Sequence, residues 1–133
     1  MSFAWEGFLA VGQELVTCPG LTAQRDARER ACVGRVYYAV FGRALRVMVA
    51  CGQYRKQGDG LDHTQLEYHL EDSEKPQWKQ LAQYLRRLKA ARTWADYQDG
   101  APDRRAAYAS SPESALRLGR EAMGLLDAIE RGH

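Results

Sequence analysis

Between about Ala23 and about Cys51 the apolar residues recur at alternating spacings of four and three, which is the pattern of a long α-helix. One stripe of this helix consists of Ala27, Ala31, Gly34, Tyr38, Phe41, Leu45 and Met48. Other apolar residues lie on the neighbouring faces, namely Val33, Val36, Tyr37, Val40, Ala44 and Val47. Because apolar residues occur on more than one side, this segment is predicted to be the central helix of a bundle.

A shorter amphipathic helix is predicted before the long one. Ser2 is a suitable N-cap for it, and Pro19 and Gly20 are expected to end it. Its apolar stripe consists of Trp5, Phe8, Gly12 and Leu15. Thr22 is then the predicted N-cap of the long helix.

The segment after the long helix changes character. The run from Gly52 to Asp62 is rich in glycine and charge and has no periodicity, which predicts a mobile loop. Asp62 followed three residues later by Gln65 predicts a capping box at the start of a short helix that carries Leu66 and Leu70.

Two further long helices are predicted in the second half of the chain. Ser73 is the expected start of one, with Pro76 in its first turn, and the pattern fails near Asp99. Its stripe consists of Trp78, Leu81, Leu85 and Leu88. After a weakly helical piece between Asp103 and Tyr108, Ser111, Pro112 and Glu113 predict the start of the last helix. The stripe of that last helix consists of Ala115, Leu118, Ala122, Leu125 and Ile129.

These elements predict an all-α protein. The expected architecture is an up-and-down antiparallel helical bundle of four long helices plus one or two short ones. With 133 residues, of which 45% are hydrophobic, residues 1–133 are expected to form a single domain with one core.

Charge and composition narrow the functional classes only slightly. The formal net charge is +2, which is too small to indicate a nucleic-acid partner by itself. No apolar run approaches the ~20 residues of a membrane helix, and no basic region precedes an apolar run near Met1, so we expect a cytoplasmic protein with no membrane partner. The cysteines at positions 18, 32 and 51 have no metal-ligand spacing and are expected to be reduced core residues.

The most informative residues are polar ones that interrupt the apolar stripes. Arg92 continues the stripe of the helix that begins near Ser73, and Asp96 follows one turn later, where the two side chains can touch. Arg35 follows Gly34 on the long helix, where the missing side chain leaves room for a ligand or another helix. With Tyr37, Tyr38 and Tyr97 these residues can form a polar cluster; the alternative is a buried ion pair that only fixes helix register.

Other kinds of site find little support. His63, His69 and His133 have no spacing that would build a zinc site, and no glycine-rich phosphate loop is present, so no metal and no cofactor are predicted. Two basic turns, Arg86–Lys89 and Arg104–Arg105, lie near Tyr84, Trp94 and Tyr108 in the sequence. They are typical either of single-stranded nucleic-acid binding or of a solvated helix face.

Two runs together resemble the HEPN family (higher eukaryotes and prokaryotes nucleotide-binding domains). The first run is Arg35-Val36-Tyr37-Tyr38-Ala39-Val40-Phe41, and the second is Arg92-Thr93-Trp94-Ala95-Asp96-Tyr97. Family members typically show S-R-x-Y-Y-A-x-F on a long second helix and R-x-x-A-D-Y at the end of a later one, and Gly34 here replaces the serine. The chain is similar in particular to small stand-alone prokaryotic members.

The resemblance implies an antiparallel helical bundle, often a homodimer, in a toxin–antitoxin or defence setting, sometimes beside a nucleotidyltransferase-type partner protein. Active members are metal-independent ribonucleases with an arginine followed after four to six residues by a histidine. No arginine of this sequence has a histidine at that interval. Without it, no obvious general acid or base for RNA cleavage is present near neutral pH.

The sequence therefore predicts a HEPN-like protein that binds RNA, a nucleotide or a partner protein and lacks ribonuclease activity. The expected ligand-binding residues are Arg35, Tyr38, His63, Arg92, Asp96 and Tyr97. Arg35 and Arg92 would supply positive charge for a phosphate, and Asp96 would orient Arg92. The alternatives are a divergent metal-independent ribonuclease with its site at a dimer interface, in which His63 or Tyr97 substitutes for the missing histidine, and a purely structural interaction domain.

Overall fold

The protein is described by a computed structural model for residues 4–17 and 25–132. The described residues form helices and connecting segments without strands, which confirms the predicted all-α fold. The helices are α1 (Glu6–Thr17), α2 (Arg25–Ala50), α3 (Asp62–Glu71), α4 (Pro76–Tyr97) and α5 (Pro112–Arg131), and a 3₁₀-helix covers Ala106–Ala109. None of these helices is long and apolar enough to cross a membrane.

The long helices alternate in direction, as predicted for an up-and-down bundle. α1 is antiparallel to α2, since Gly12 lies against Cys32 while Gly42 lies under the Trp5 ring. α4 is antiparallel to α2 as well, and Arg30 at the start of α2 donates to the carbonyl oxygen of Trp94 near the end of α4 (3.3 Å). α1, α4 and α5 all pack against α2, so the long helix is central, as its pattern indicated.

The buried side of α2 differs from the stripe that the spacing favours most. The fully buried residues lie mainly on the neighbouring faces: Cys32, Val33, Val36, Tyr37, Ala39, Val40, Ala44 and Val47. In the predicted stripe, Phe41 and Met48 are buried, but Ala27 and Ala31 are exposed. Both sets are apolar, so only the positions of α1, α4 and α5 decide which set is covered.

Arg43 is a buried cation that the sequence pattern did not single out. Its side chain is on α2 and is only 7% exposed. It forms ion pairs with Glu6 of α1 (3.3 Å) and with Asp127 and Glu130 of α5. Since a buried charge is tolerated only with partners, Arg43 holds three helices together through one guanidinium group.

Most predicted helix boundaries on described residues agree with the structure. Ser111 caps α5 in a capping box with Ser114, and α4 ends at Tyr97. Ser73 is not the N-cap of α4, because the helix begins at Pro76 after an extended Lys75, the conformation that a following proline favours. The predicted caps Ser2 and Thr22 and the predicted stop at Pro19 and Gly20 lie outside the described residues.

The Asp62 carboxylate organises the loop between α2 and α3. It accepts hydrogen bonds from the Tyr54 hydroxyl (2.7 Å), the Gln57 backbone N–H (2.8 Å) and the Gly58 backbone N–H (3.1 Å). Burial by itself would raise the pKa of Asp62, but these hydrogen bonds outweigh it and lower the pKa. The predicted capping box is therefore wrong, because Leu61 occupies the N-cap position and Asp62 binds the preceding loop instead. The last part of the predicted mobile loop is held by this buried carboxylate.

Cys32 agrees with its expected role as a reduced core residue. It is free and fully buried, and burial, assisted by the negative charges of Glu113 and Glu29, raises the pKa of its thiol to about 11. Cys51 is also free and is half-buried, and Cys18 lies outside the described residues.

Two glycines of α2 allow a matched pair of alanine substitutions, which should change the free energy of unfolding in opposite directions. A Cβ at Gly34 would meet nothing within 4 Å, so Gly34→Ala should raise the free energy of unfolding by roughly 0.5–1 kcal/mol through helix propensity. A Cβ at Gly42 would lie 2.2 Å from the Trp5 ring, so Gly42→Ala should lower it by roughly 1–3 kcal/mol. Urea unfolding of both variants tests this, and equal shifts of the same sign would contradict the packing of α1 on α2.

Asp62→Asn should destabilise the protein by roughly 1.5–3 kcal/mol, because the buried acceptor loses its charge and part of its hydrogen bonding. Hydrogen exchange should show faster exchange at the Gln57 and Gly58 amides. Asp59→Asn is the control, since Asp59 is an exposed residue of the same loop. Unchanged exchange in Asp62→Asn would mean that the carboxylate does not hold the loop.

Candidate functional site

The Arg92 side chain lies where α4 meets α2. Its Nη2 donates to the Tyr38 hydroxyl (2.8 Å), and its Nε lies 3.4 Å from the Asp96 carboxylate. The guanidinium carbon is 5.8, 5.4 and 6.0 Å from the ring centroids of Tyr37, Tyr38 and Tyr97. We call this group, together with His63, the Arg92 cluster: Tyr37, Tyr38, His63, Arg92, Asp96 and Tyr97.

Arg92 keeps its charge in this setting. Burial by itself would lower the pKa of Arg92, but the hydrogen bond to Tyr38 and the neighbouring Asp96 raise it. The side chain is 21% exposed, so the cation lies just below the surface. Its Nε is buried and has no hydrogen bond, because the contact with Asp96 is an ion pair without hydrogen-bond geometry. Because this Nε is itself buried, a ligand can reach only the exposed part of the Arg92 side chain.

His63 enters the cluster from the first turn of α3. Its Nδ1 lies 2.6 Å from the Tyr37 hydroxyl, and its ring stacks on Phe41 with centroids 4.0 Å apart. Burial lowers the pKa of His63, and the positive charges of Lys89 and Arg92 lower it further, although Asp62 acts in the opposite direction. Burial likewise raises the pKa of Tyr37. At neutral pH both groups are therefore uncharged, and they share one hydrogen bond.

This arrangement can bind an anion and stack planar groups. Arg92 provides a fixed positive charge, and Tyr97 is 73% exposed, so that its ring has an open face. Among the described residues, no group of histidine, cysteine and acidic side chains could hold a metal ion. The chemistry available at the cluster is thus that of a guanidinium group, phenols, one neutral imidazole and the carboxylate of Asp96, which is paired with Arg92.

Five of the six predicted site residues come together, and one lies apart. The contacts described above join five of them: Tyr38, His63, Arg92, Asp96 and Tyr97. Arg35 takes part in none of these contacts. Arg35 is exposed and its guanidinium carbon lies over the Phe8 ring of α1 (5.5 Å). The structure therefore shows no contact that would allow Arg35 and Arg92 to bind one phosphate together.

The ion pair between Arg92 and Asp96 is present, but it does not fix the register between helices, which was the alternative role considered from the sequence. Both residues are on α4 at (i, i+4), and the Asp96 side chain is 42% exposed. A pair within one helix cannot fix the position of another. The bond from Arg92 to Tyr38 is the contact that joins α4 to α2.

Sequence reasoning missed two neighbours of the cluster. Phe41 lies one helical turn after Tyr37 and supports the His63 ring, so the (i, i+4) spacing was the available signal. Lys89 donates to the carbonyl oxygen of His63 (3.4 Å), and no sequence pattern links those two residues.

Comparisons of the chain with models of protein families, with curated proteins and with solved structures found no match. The resemblance to HEPN proteins accordingly depends on the two sequence runs alone.

The lowered pKa of His63 predicts a pH-dependent stability. The unfolded chain binds a proton on this histidine near its ordinary pKa of 6.5, whereas the folded protein resists it. The free energy of unfolding should therefore be highest above about pH 6.5 and should fall as the pH decreases through the lower folded-state pKa. Urea unfolding between about pH 8 and about pH 5 measures this dependence.

His63→Gln should flatten the pH dependence in that range. His69→Gln removes a histidine outside the cluster and should leave the dependence close to that of the wild type. If His63→Gln keeps the full dependence, the burial of His63 is not its cause.

Proposed function

We propose that this protein is a HEPN-like RNA-binding protein that holds a phosphate of RNA at the Arg92 cluster and does not cleave the chain. The observation that carries the proposal is the state of Arg92, a permanent cation whose side chain is 21% exposed and lies between three tyrosine rings. A guanidinium group donates in a planar fork that fits phosphate oxygens.

The aromatic residues favour RNA over a simple anion. Tyr97 is largely exposed beside the cation, and its ring can stack with a base. A binding site that combines a positive charge with an open aromatic face is typical of single-stranded nucleic-acid recognition.

The arrangement of His63 supports binding without cleavage. Metal-independent cleavage needs one group to take the 2′-hydroxyl proton and another to protonate the leaving oxygen. His63 is the one imidazole of the cluster, and its Nδ1 is engaged by Tyr37. Both tyrosines next to Arg92 on α2 are phenols with no carboxylate bonded to them in the described structure.

The wider biological setting follows from the resemblance. The two sequence runs support a stand-alone prokaryotic HEPN-like protein in a cytoplasmic toxin–antitoxin or defence module. On this proposal the protein forms a homodimer, and a nucleotidyltransferase-type protein is the candidate partner.

One observation favours a second function, that of a divergent metal-independent ribonuclease. His63 and Arg92 are 29 residues apart in the sequence, yet the fold brings both into one cluster. The arginine and histidine that the usual motif supplies from one helix would here come from α3 and α4, and a second copy of the chain would complete the site.

RNA binding and cleavage can be measured together with a pool of labelled RNAs in EDTA. The wild type should retain RNA without cleaving it, and Arg92→Ala should bind at least about tenfold more weakly because one charged phosphate contact is lost. Arg25→Ala is the matched control, since Arg25 also forms an (i, i+4) ion pair but is not a member of the cluster. Its affinity should equal that of the wild type.

The other outcomes separate the alternatives. Cleavage by the wild type that disappears in Arg92→Ala would overturn the non-cleaving proposal and favour the ribonuclease. If Arg92→Ala lowers the melting temperature but leaves RNA retention unchanged, Arg92 serves only to join α4 to α2 through Tyr38.

A further inference from the structure

A second basic surface lies on α4, apart from the Arg92 cluster. A surface pocket of about 470 Å³ separates α4 from the segment that precedes α5. We call it the α4 groove; its lining residues are Gln83, Arg86, Arg87, Arg104, Arg105 and Tyr108. Four of these six residues are arginines and none is acidic, so the groove is strongly positive.

The charges of this groove are mostly unneutralised. Arg86 forms ion pairs with Glu67 (2.7 Å) and Glu71 of α3. Arg87, Arg104 and Arg105 have no carboxylate partner within the described residues. Three like charges around one pocket repel each other, and a polyanion that enters the groove relieves this repulsion.

An aromatic ring lies among these charges. The Arg87 guanidinium carbon lies 4.1 Å from the centroid of the Tyr108 ring. Tyr108 itself is 51% exposed, so the stack of guanidinium and phenol is open to a further planar group. A nucleic-acid base can extend such a stack, whereas an acidic peptide would use only the charges.

The groove continues toward the Arg92 cluster. An adjoining pocket of about 310 Å³ shares Arg86 and Arg105 with it and is also lined by Lys89 and Thr93. Its lining includes two acidic residues, Glu67 and Asp103, so the positive charge is weaker here than in the groove. Lys89 in turn contacts His63 of the cluster. From Arg87 to Arg92 the helix rises about 7.5 Å and rotates by about 140°, so a strand that contacts both residues must cross the exposed face of α4 between them.

We infer that the α4 groove binds single-stranded RNA, with Arg104 and Arg105 on its phosphates and a base stacked at Tyr108. This inference rests on the proposed RNA-binding function and extends it, because it names an unpaired strand as the ligand and gives its path along α4. A duplex is disfavoured, since its bases are already stacked on each other and cannot reach Tyr108.

Fluorescence anisotropy with a labelled oligouridylate of about 12 nucleotides tests the inference, since that length lies within the range of single-strand binding sites. Arg104→Ala/Arg105→Ala should weaken binding and should reduce the slope of log K against log salt by about 1.4, because about 0.7 is lost with each phosphate contact. Arg55→Ala/Arg131→Ala is the control. It removes the same charge from exposed positions outside the groove and should leave the slope within about 0.7 of the wild-type value.

The stacking step has its own pair of variants. Tyr108→Ala should weaken binding by roughly 5- to 150-fold, which is the usual loss for one stacked base. Tyr108→Phe keeps the ring and should bind within about twofold of the wild type, as no hydroxyl contact is needed for stacking. The same oligonucleotide in duplex form, and a polyglutamate of equal charge, should compete poorly.

The outcomes distinguish this inference from the function on which it rests. If both Arg104→Ala/Arg105→Ala and Tyr108→Ala bind RNA with wild-type affinity, the groove is not a binding site. If Arg92→Ala nevertheless loses binding, the proposed RNA binding at the Arg92 cluster is still supported. Loss of binding in the groove variants with full binding in Arg92→Ala supports the groove and removes Arg92 from the site. Equal competition by polyglutamate assigns the groove to an acidic protein instead, and absence of any oligonucleotide binding by the wild type overturns both proposals.

Discussion

Burial of α2 against three other helices is the constraint on which the rest of this structure depends. Each aliphatic side chain that α2 buries contributes roughly 1.5–3 kcal/mol, so the position of this helix is fixed by many small terms at once. The polar groups that α2 carries inward must then find partners where they lie. Arg43 finds Glu6, Asp127 and Glu130 on α1 and α5, and Tyr37 finds His63 on α3.

The candidate site is a consequence of this same requirement. Tyr37 is fully buried, and its hydroxyl needs a hydrogen-bonding partner, which holds the first turn of α3 against α2. Tyr38, one residue later, points toward α4 and receives Arg92. Two adjacent tyrosines thus bring a histidine and an arginine from separate helices into one cluster.

The two positive surfaces along α4 differ in how their charges are compensated. Arg92 is bonded to Tyr38 and paired with Asp96, so it stabilises the fold while part of its side chain remains exposed. Arg87, Arg104 and Arg105 have no carboxylate partner among the described residues, and Arg87 stacks on the exposed Tyr108 ring instead. For this reason we propose that the Arg92 cluster binds a single phosphate, whereas the α4 groove binds an extended strand.

The sequence by itself determined the architecture. Helical periodicity predicted the four long helices and the central place of α2, and the run Ser111, Pro112 and Glu113 predicted the start of α5, because these features depend on residues close together in the chain. It also identified Arg92, Asp96 and Tyr97 as a group, since Asp96 and Tyr97 follow Arg92 by about one helical turn.

Only the tertiary structure decided which side of α2 is buried, that Asp62 binds its own loop, and that Arg43 holds three helices together. It also separated Arg35 from Arg92 and joined His63 to Arg92. These outcomes depend on contacts between residues far apart in the sequence. Apolar residues on two faces of α2, and charged residues on many helices, fit several packings equally well until their neighbours are in place.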